Sequence, residues 1–217
     1  MARKKIPIDR RRLLIDGARE LFGRYGFEKT TVDDIARHTG IGKGSVYLEF
    51  KTKEDILIAI IDEFAHHMHT YMDQCVSEAR APYLKSLGEM LFGLVMSIHE
   101  TATSNIHTPE VMMLTHRKLM KEFSHHHEFK DSRFKLLIKK ASKEGEISAS
   151  VSGDEVIRLI NLVTIPLLPP YLRKEPGDEE KIPTRKQLAA DARLVIDVLI
   201  SGIRSRYSKK KDKRMQK

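Results

Sequence analysis

Within nine residues the chain sets Lys43, Ser45, Tyr47 and Lys51: two ammonium groups, a hydroxyl and a phenol. Side chains of this kind donate hydrogen bonds and positive charge, and the chemistry they suit is non-covalent recognition of a polyanion. Tyr47 and Lys51 are four positions apart, a spacing that puts both donors on one face of a helix, where they can meet adjacent phosphates. Val46 and Phe50, also four apart, are placed to anchor the opposite face in a core. The stretch Gly40-Ile41-Gly42-Lys43-Gly44-Ser45 has the glycines of a phosphate-cradling loop, but such a loop needs Gly-Lys followed directly by Ser or Thr after a strand. Gly44 intervenes here, and the surrounding pattern is helical.

Other reactive groups give less. His99-Glu100 and His127-Glu128 miss the zinc-protease pattern, because the fifth position is Thr103 in one case and Asp131 in the other. With no nucleophile, metal or phosphate motif left, an enzyme is not expected. His66, His67 and His69 lie on one helix, and His125, His126 and His127 fall where a helical run is expected to break. Consecutive helical histidines point in different directions, and no cysteine or carboxylate stands at ligand spacing. The histidines are read as solvated or interface residues, and neither a metal nor a cofactor is expected. Met68, Met90, Met96, Met112, Met113 and Met120 give the middle of the chain an adaptable apolar lining; Met68, Met112 and Met113 suit a core or a ligand pocket equally, and core is the favoured reading of the others. The candidate pocket residues are Phe64, Met68, Tyr71, Met90, Leu94, Met112, Met113, His116, Phe134 and Asn161. Of these, Tyr71, His116 and Asn161 supply the polar groups to orient an otherwise apolar effector.

The elements that must position these groups are helical throughout, since no segment alternates with period two. Leu14, Ala18, Leu21, Phe22 and Tyr25 form one face of a helix from Asp9 to Tyr25, stopped by Gly26. Thr31-Val32-Asp33-Asp34 is a capping box that starts a short second helix, ended by Gly40. A third helix is expected from about Lys43 to Phe50, and Thr52-Lys53-Glu54-Asp55 caps a fourth that runs from Lys53 to about Val76, roughly 36 Å. Further helices follow: a stripe from Leu84 to Ile98, a start at Thr108-Pro109-Glu110, and a run from His116 to Gly145 broken near His125 to Lys130. Another spans Asp154 to Leu168 with a kink at Pro166 and a stop at Pro169-Pro170. Arg173 to Pro183 is charged and reads as a loop. The last helix, Thr184 to Tyr207, carries a stripe so broad that it suggests burial on two sides, one of them against a second copy of the chain.

The three short helices and the tight Gly40-Ile41-Gly42 turn have the layout of a helix-turn-helix, whose second helix can enter a major groove about 12 Å wide. Charge agrees. The net charge of +9 resolves into +5 over residues 1–12 and +7 over residues 204–217, leaving −3 for the body between. Basic ends attract nucleic acid or an anionic membrane surface, or are solvated tails. The apolar share of 41% excludes disorder throughout, and the lone Cys75 excludes an intrachain disulfide, as in a reducing compartment. The most apolar stretch, Val156 to Leu172, is interrupted by Arg158, Asn161, Pro166 and Pro169 and falls short of the roughly 20 residues of a membrane span. A soluble cytoplasmic protein is expected, with no membrane partner.

Residues 30–57, TTVDDIARHTGIGKGSVYLEFKTKEDIL, closely resemble the DNA-binding signature of TetR-type (TetR/AcrR) transcriptional repressors, and Ala18, Leu21, Phe22, Gly26 and Phe27 match that family's first helix. The resemblance covers about 50 residues. It implies an all-α protein with an N-terminal three-helix bundle (residues 1–52), joined by a long helix to a larger effector-binding and dimerisation domain (53–207), with a basic tail (208–217). It further implies a homodimer, paired through the last two long helices, that binds a palindromic operator and is released by a small-molecule effector. By position, Thr31 and Lys43 would meet phosphates, Gly44 would admit the DNA backbone, Ser45 and Val46 would face bases, and Tyr47 and Lys51 would clamp the backbone. Gly42, Leu48 and Glu49 depart from the usual pattern: Gly42 offers no side-chain cap, and Glu49 is expected to point to solvent or pair with a lysine, ahead of accepting from a cytosine amino group. A sequence-tolerant architectural DNA binder without an effector is the alternative.

Overall fold

The computed structural model describes residues 9–104, 124–168 and 183–208. Among them are eight α-helices: α1 (Arg10–Tyr25), α2 (Val32–Thr39), α3 (Lys43–Glu49), α4 (Lys53–Glu78), α5 (Tyr83–Ser104), α6 (Ser124–Lys143), α7 (Gly153–Thr164) and α8 (Arg185–Arg206). No strand occurs among the described residues. The protein is all-α, as the periodicity requires. The expected helix start at Thr108, the Pro169-Pro170 stop, the loop from Arg173 as far as residue 182, and residues 1–8 and 209–217 of the basic ends lie outside the described residues.

Local signals set most boundaries. Thr31 and Thr52 each accept the backbone N–H of the residue three ahead, Asp34 and Asp55, whose carboxylates return the bond to the cap's own N–H. Thr184 and Gln187 form the same box at the start of α8. Gly40 ends α2 in the left-handed conformation (φ 68°, ψ 16°), which lets the chain reverse into α3 without a Cβ clash. Two boundaries differ from expectation. The run through His125 to Lys130 is unbroken helix, the first turns of α6. At the other, α7 stops at Thr164 and tightens into a 3-10 turn, Ile165–Leu167, because Pro166 has no N–H to continue the ladder.

Two cores form. Leu14, Ala18, Phe22, Phe27, Ile35, Val46 and Phe50 from α1 to α3 close around Ile56, Leu57, Ala59 and Ile60 of α4. The second core gathers Met72 of α4 with α5 (Leu84, Leu87, Met90, Leu91), α6 (Phe134, Leu137, Ile138), α7 (Val156, Ile160) and α8 (Leu188, Ala192, Ile196, Ile203). Each fully buried large side chain contributes roughly 1.5 to 3 kcal/mol. Thus α4 is built into both bodies, its first two turns in one and its later turns in the other.

Polar contacts fix the angles between helices. Arg19 of α1 donates to Glu63 of α4 at 2.6 Å. Glu146, just beyond α6, accepts from the first-turn amides of α5, Tyr83 N–H and, at 3.0 Å, Leu84 N–H, placing a carboxylate at the positive end of that helix. Tyr207 closes the end of α8 onto α7 through Glu155 Oε1 at 2.6 Å.

Gly17 sets the distance between α1 and α2, since a Cβ there would collide with the methyl group of Thr39. That side chain cannot easily turn away, because its hydroxyl donates to Ile35 C=O at 2.8 Å. Gly17→Val is therefore expected to destabilise the N-terminal core by about 1 to 3 kcal/mol, the usual cost of overpacking. Urea unfolding followed by far-UV circular dichroism checks this, and an unchanged midpoint would show that the contact does not set the spacing.

Candidate nucleic-acid interface

The seven-residue helix α3 has one side in the core and the rest in solvent. Val46 is fully buried and Phe50, which ends the helix in an extended conformation, is 4% exposed. Lys43, Gly44, Tyr47, Leu48 and Glu49 are exposed, and Ser45 is half-buried. The amphipathic spacing of Val46 and Phe50 explains this division, and the turn at Gly40 holds α3 against α2. Gly42 accepts from Ser45 N–H at 2.8 Å through its backbone but offers no side-chain cap.

The geometry alters three of the expected roles. Val46 lies in the core and cannot face bases; it anchors α3 instead. Lys51 follows the end of α3, so it is exposed but does not share a helical face with Tyr47. Lys43 Nζ is paired with Asp33 Oδ1 of α2 at 2.7 Å, which raises its pKa, first through the side-chain hydrogen bond and then through the charge. The Thr31 hydroxyl donates to Asp34 Oδ2 at 2.6 Å and holds that carboxyl below its ordinary range. Thr31 and Lys43 thus each have an acidic partner on α2, while Gly44, Ser45 and Tyr47 stand along the exposed side of α3. Sequence reasoning passed over Leu48, which is the most exposed of the large apolar side chains among the described residues, at 85%. An apolar side chain at this place suits a thymine methyl group. The signal available was that Leu48 does not share the spacing of the buried pair.

The effector candidates fall into three groups. Met90, Leu94 and Phe134 are buried in the second core, where Met68 and Tyr71 pack against it. Phe64 is half-buried on α4. Asn161 is engaged by Lys130, whose Nζ donates to its Oδ1 at 2.8 Å. Burial lowers the Lys130 pKa, and this half-buried cation was not anticipated. Tyr71 donates to Glu89 C=O at 3.5 Å across the close approach of α4 and α5 at Gly93, and burial raises its pKa. Met112, Met113 and His116 lie outside the described residues.

The histidines do not follow expectation. His126 Nε2 lies 3.0 Å from Asp62 Oδ1 and its Nδ1 lies 3.1 Å from His69 Nε2, while the rings of His125 and His126 are 3.8 Å apart. The carboxylate missing at sequence spacing comes from 63 or 64 positions earlier, because α4 and α6 lie side by side. Burial is the leading cause of the lowered pKa of both His69 and His126.

Residues 14–60 match the family model of the bacterial regulatory proteins, tetR family. Over these residues the chain is similar to the tetR-family domain. It is 30% identical over 90 residues to the uncharacterized HTH-type transcriptional regulator YhgD of Bacillus subtilis, a match over 42% of this chain and 47% of that protein. The chain spans about half the length of the curated relatives it matches. A transcriptional regulator from Cytophaga hutchinsonii superposes with a TM-score of 0.72 at 20% identity, over 89% of this chain and 97% of that one. FadR from Bacillus subtilis, solved in complex with stearoyl-CoA, superposes with a TM-score of 0.60 at 20% identity, over 88% and 98%. At these identities the likeness shows the fold, and it extends that fold through the second body.

The exposed face of α3 separates two kinds of contact. Lys51→Ala is expected to weaken duplex binding alike for all sequences and to lower the salt slope by about one. Leu48→Ala is expected to leave the slope alone and relax preference at one base pair. Titration of fluorescent duplexes at several salt concentrations distinguishes the two, and the reverse pattern would overturn the assignment.

Proposed function

We propose that the chain is a ligand-responsive DNA-binding transcriptional regulator, a repressor that binds a palindromic operator as a homodimer and is released by a small-molecule effector. The observation that carries this reading is the tetR-family helix-turn-helix, with α3 anchored by Val46 and Phe50 and its remaining face turned outward. In the proposed contact set Gly44, Ser45, Tyr47, Leu48 and Lys51 meet DNA directly. Lys43 reaches phosphate once that anion competes with Asp33, and Thr31 lends its place at the positive end of α2.

Pairing through α7 and α8 is supported by the apolar groups these helices leave in solvent. Leu194 and Val198, four apart on α8, are 66% and 65% exposed, and Leu162 and Ile165 at the end of α7 are 64% and 52% exposed. Large exposed apolar residues in the middle of α8 and at the end of α7 are what an association surface between copies would use. A two-fold dimer would present its reading helices to half-sites roughly 34 to 36 Å apart or a multiple of that distance.

The effector is proposed to be largely apolar and to enter among Phe64, Met68, Tyr71, Met90, Leu94 and Phe134, with Asn161 and Lys130 toward α7 and Met112, Met113 and His116 as further candidates. Thioethers and aromatic rings adapt to a flexible chain. The fold neighbour FadR was solved with stearoyl-CoA, whose acyl chain is apolar although its coenzyme A part is charged. The effector would favour a tilt of α4 in which the two reading helices no longer match the operator spacing.

Selection of duplexes from a random pool is expected to return a palindromic consensus, and an apolar ligand found by screening is expected to release it. A pool without a consensus would leave only sequence-tolerant binding. Leu194→Asp is expected to shift the protein to monomer in analytical ultracentrifugation and to cost at least about tenfold in operator affinity. A dimer of unaltered stability would move the proposed interface elsewhere.

A further inference from the structure

Three ligating groups from two helices, α4 and α6, converge where no site was expected. One ligand atom each from Asp62, His125 and His126 lies within 4.8 Å of the others. We propose that Asp62, His125 and His126 bind a divalent transition-metal ion, bridging α4 to the start of α6. Two imidazoles and a carboxylate are the donor set of Zn²⁺, Ni²⁺ and Co²⁺, whereas Mg²⁺ and Ca²⁺ take oxygen ligands. Donors about 2.0 to 2.2 Å from a tetrahedral ion stand roughly 3.3 to 3.6 Å apart, so shifts of the ligand atoms by about an ångström close the set.

The surroundings orient these donors. His126 Nε2 faces Asp62, and its Nδ1 is 3.1 Å from His69 Nε2; a proton held between those two nitrogens leaves Nε2 available to a metal. His69 in turn stacks on Phe129 at 3.6 Å between ring centres. His66 Nδ1 lies 2.8 Å from the Asp62 backbone oxygen and 3.5 Å from its Oδ2, with its ring centre 5.5 Å from that of His126. Only 9% of the His126 side chain is exposed, while His125 is open to solvent. A groove of about 440 Å³ lined by Arg11, Phe50, Ile58, Asp62 and His125 gives an ion its path to the donors. Three protein ligands leave a position for water.

The test uses the untagged full-length chain stripped with chelator and titrated with Co²⁺, followed by its visible ligand-field absorption, with Zn²⁺ as competitor. The result expected is saturation at one ion per chain, displacement by Zn²⁺, and a rise in the thermal unfolding midpoint with Zn²⁺. His125→Ala and Asp62→Asn are each expected to weaken binding at least about tenfold and to remove most of the thermal shift. His67→Ala, on an exposed histidine of α4 outside the set, is expected to change neither. Because His125 is exposed, its variant keeps the fold, which circular dichroism of the metal-free protein verifies. No saturable absorption, or equal affinity in wild type, His125→Ala and Asp62→Asn, would overturn the proposal. So would a loss confined to His67→Ala.

Discussion

The structure depends on the continuity of α4. An unbroken helix of 26 residues, about 39 Å long, cannot serve two cores independently. Ile56, Leu57, Ala59 and Ile60 commit its first turns to the N-terminal core, and Met68, Tyr71, Met72 and Cys75 commit later turns to the body. The orientation of the reading helix is therefore a property of how α4 sits against α5 and α6. Arg19 and Glu63 tie α1 to the same rod, so a displacement of α4 carries the whole reading module with it. A packed interior resists continuous deformation, and such a rod has a few discrete seats rather than a range of them.

Charge at the proposed DNA-facing surface is restrained by acidic residues of α2. Asp33 holds Lys43, and Asp34 holds both Thr31 and Arg37. These pairs are solvent-exposed and contribute little to stability. Their effect is on binding, since a phosphate must compete for cations that already have a partner. In the proposed contact set, such competition would lower affinity for duplexes in general more than for a site that also satisfies Ser45, Tyr47 and Leu48.

Much of this was legible in the sequence because it is local. Capping boxes at Thr31 and Thr52, the stop at Gly40, and the spacing of Val46 with Phe50 are encoded within four or five residues, and each appears as read. Readings failed where the deciding contact was distant or where helical spacing was carried past the end of a helix. Lys51 left the face of Tyr47 because Phe50 turns extended. The helix through His125 to Lys130 stays intact, and its histidines meet Asp62 only after α6 lies along α4. Lys130 was invisible as a half-buried cation because a lysine in a charged stretch reads as solvated until its partner Asn161, 31 residues away, is placed.

The attachment of α3 by one buried valine and one terminal phenylalanine separates two properties that are usually entangled. Substitutions at its outward positions cost little folding free energy, typically within about half a kcal/mol, so a lineage can drift from one target site to another without passing through unfolded intermediates. Recognition can diversify while the scaffold that presents it stands still.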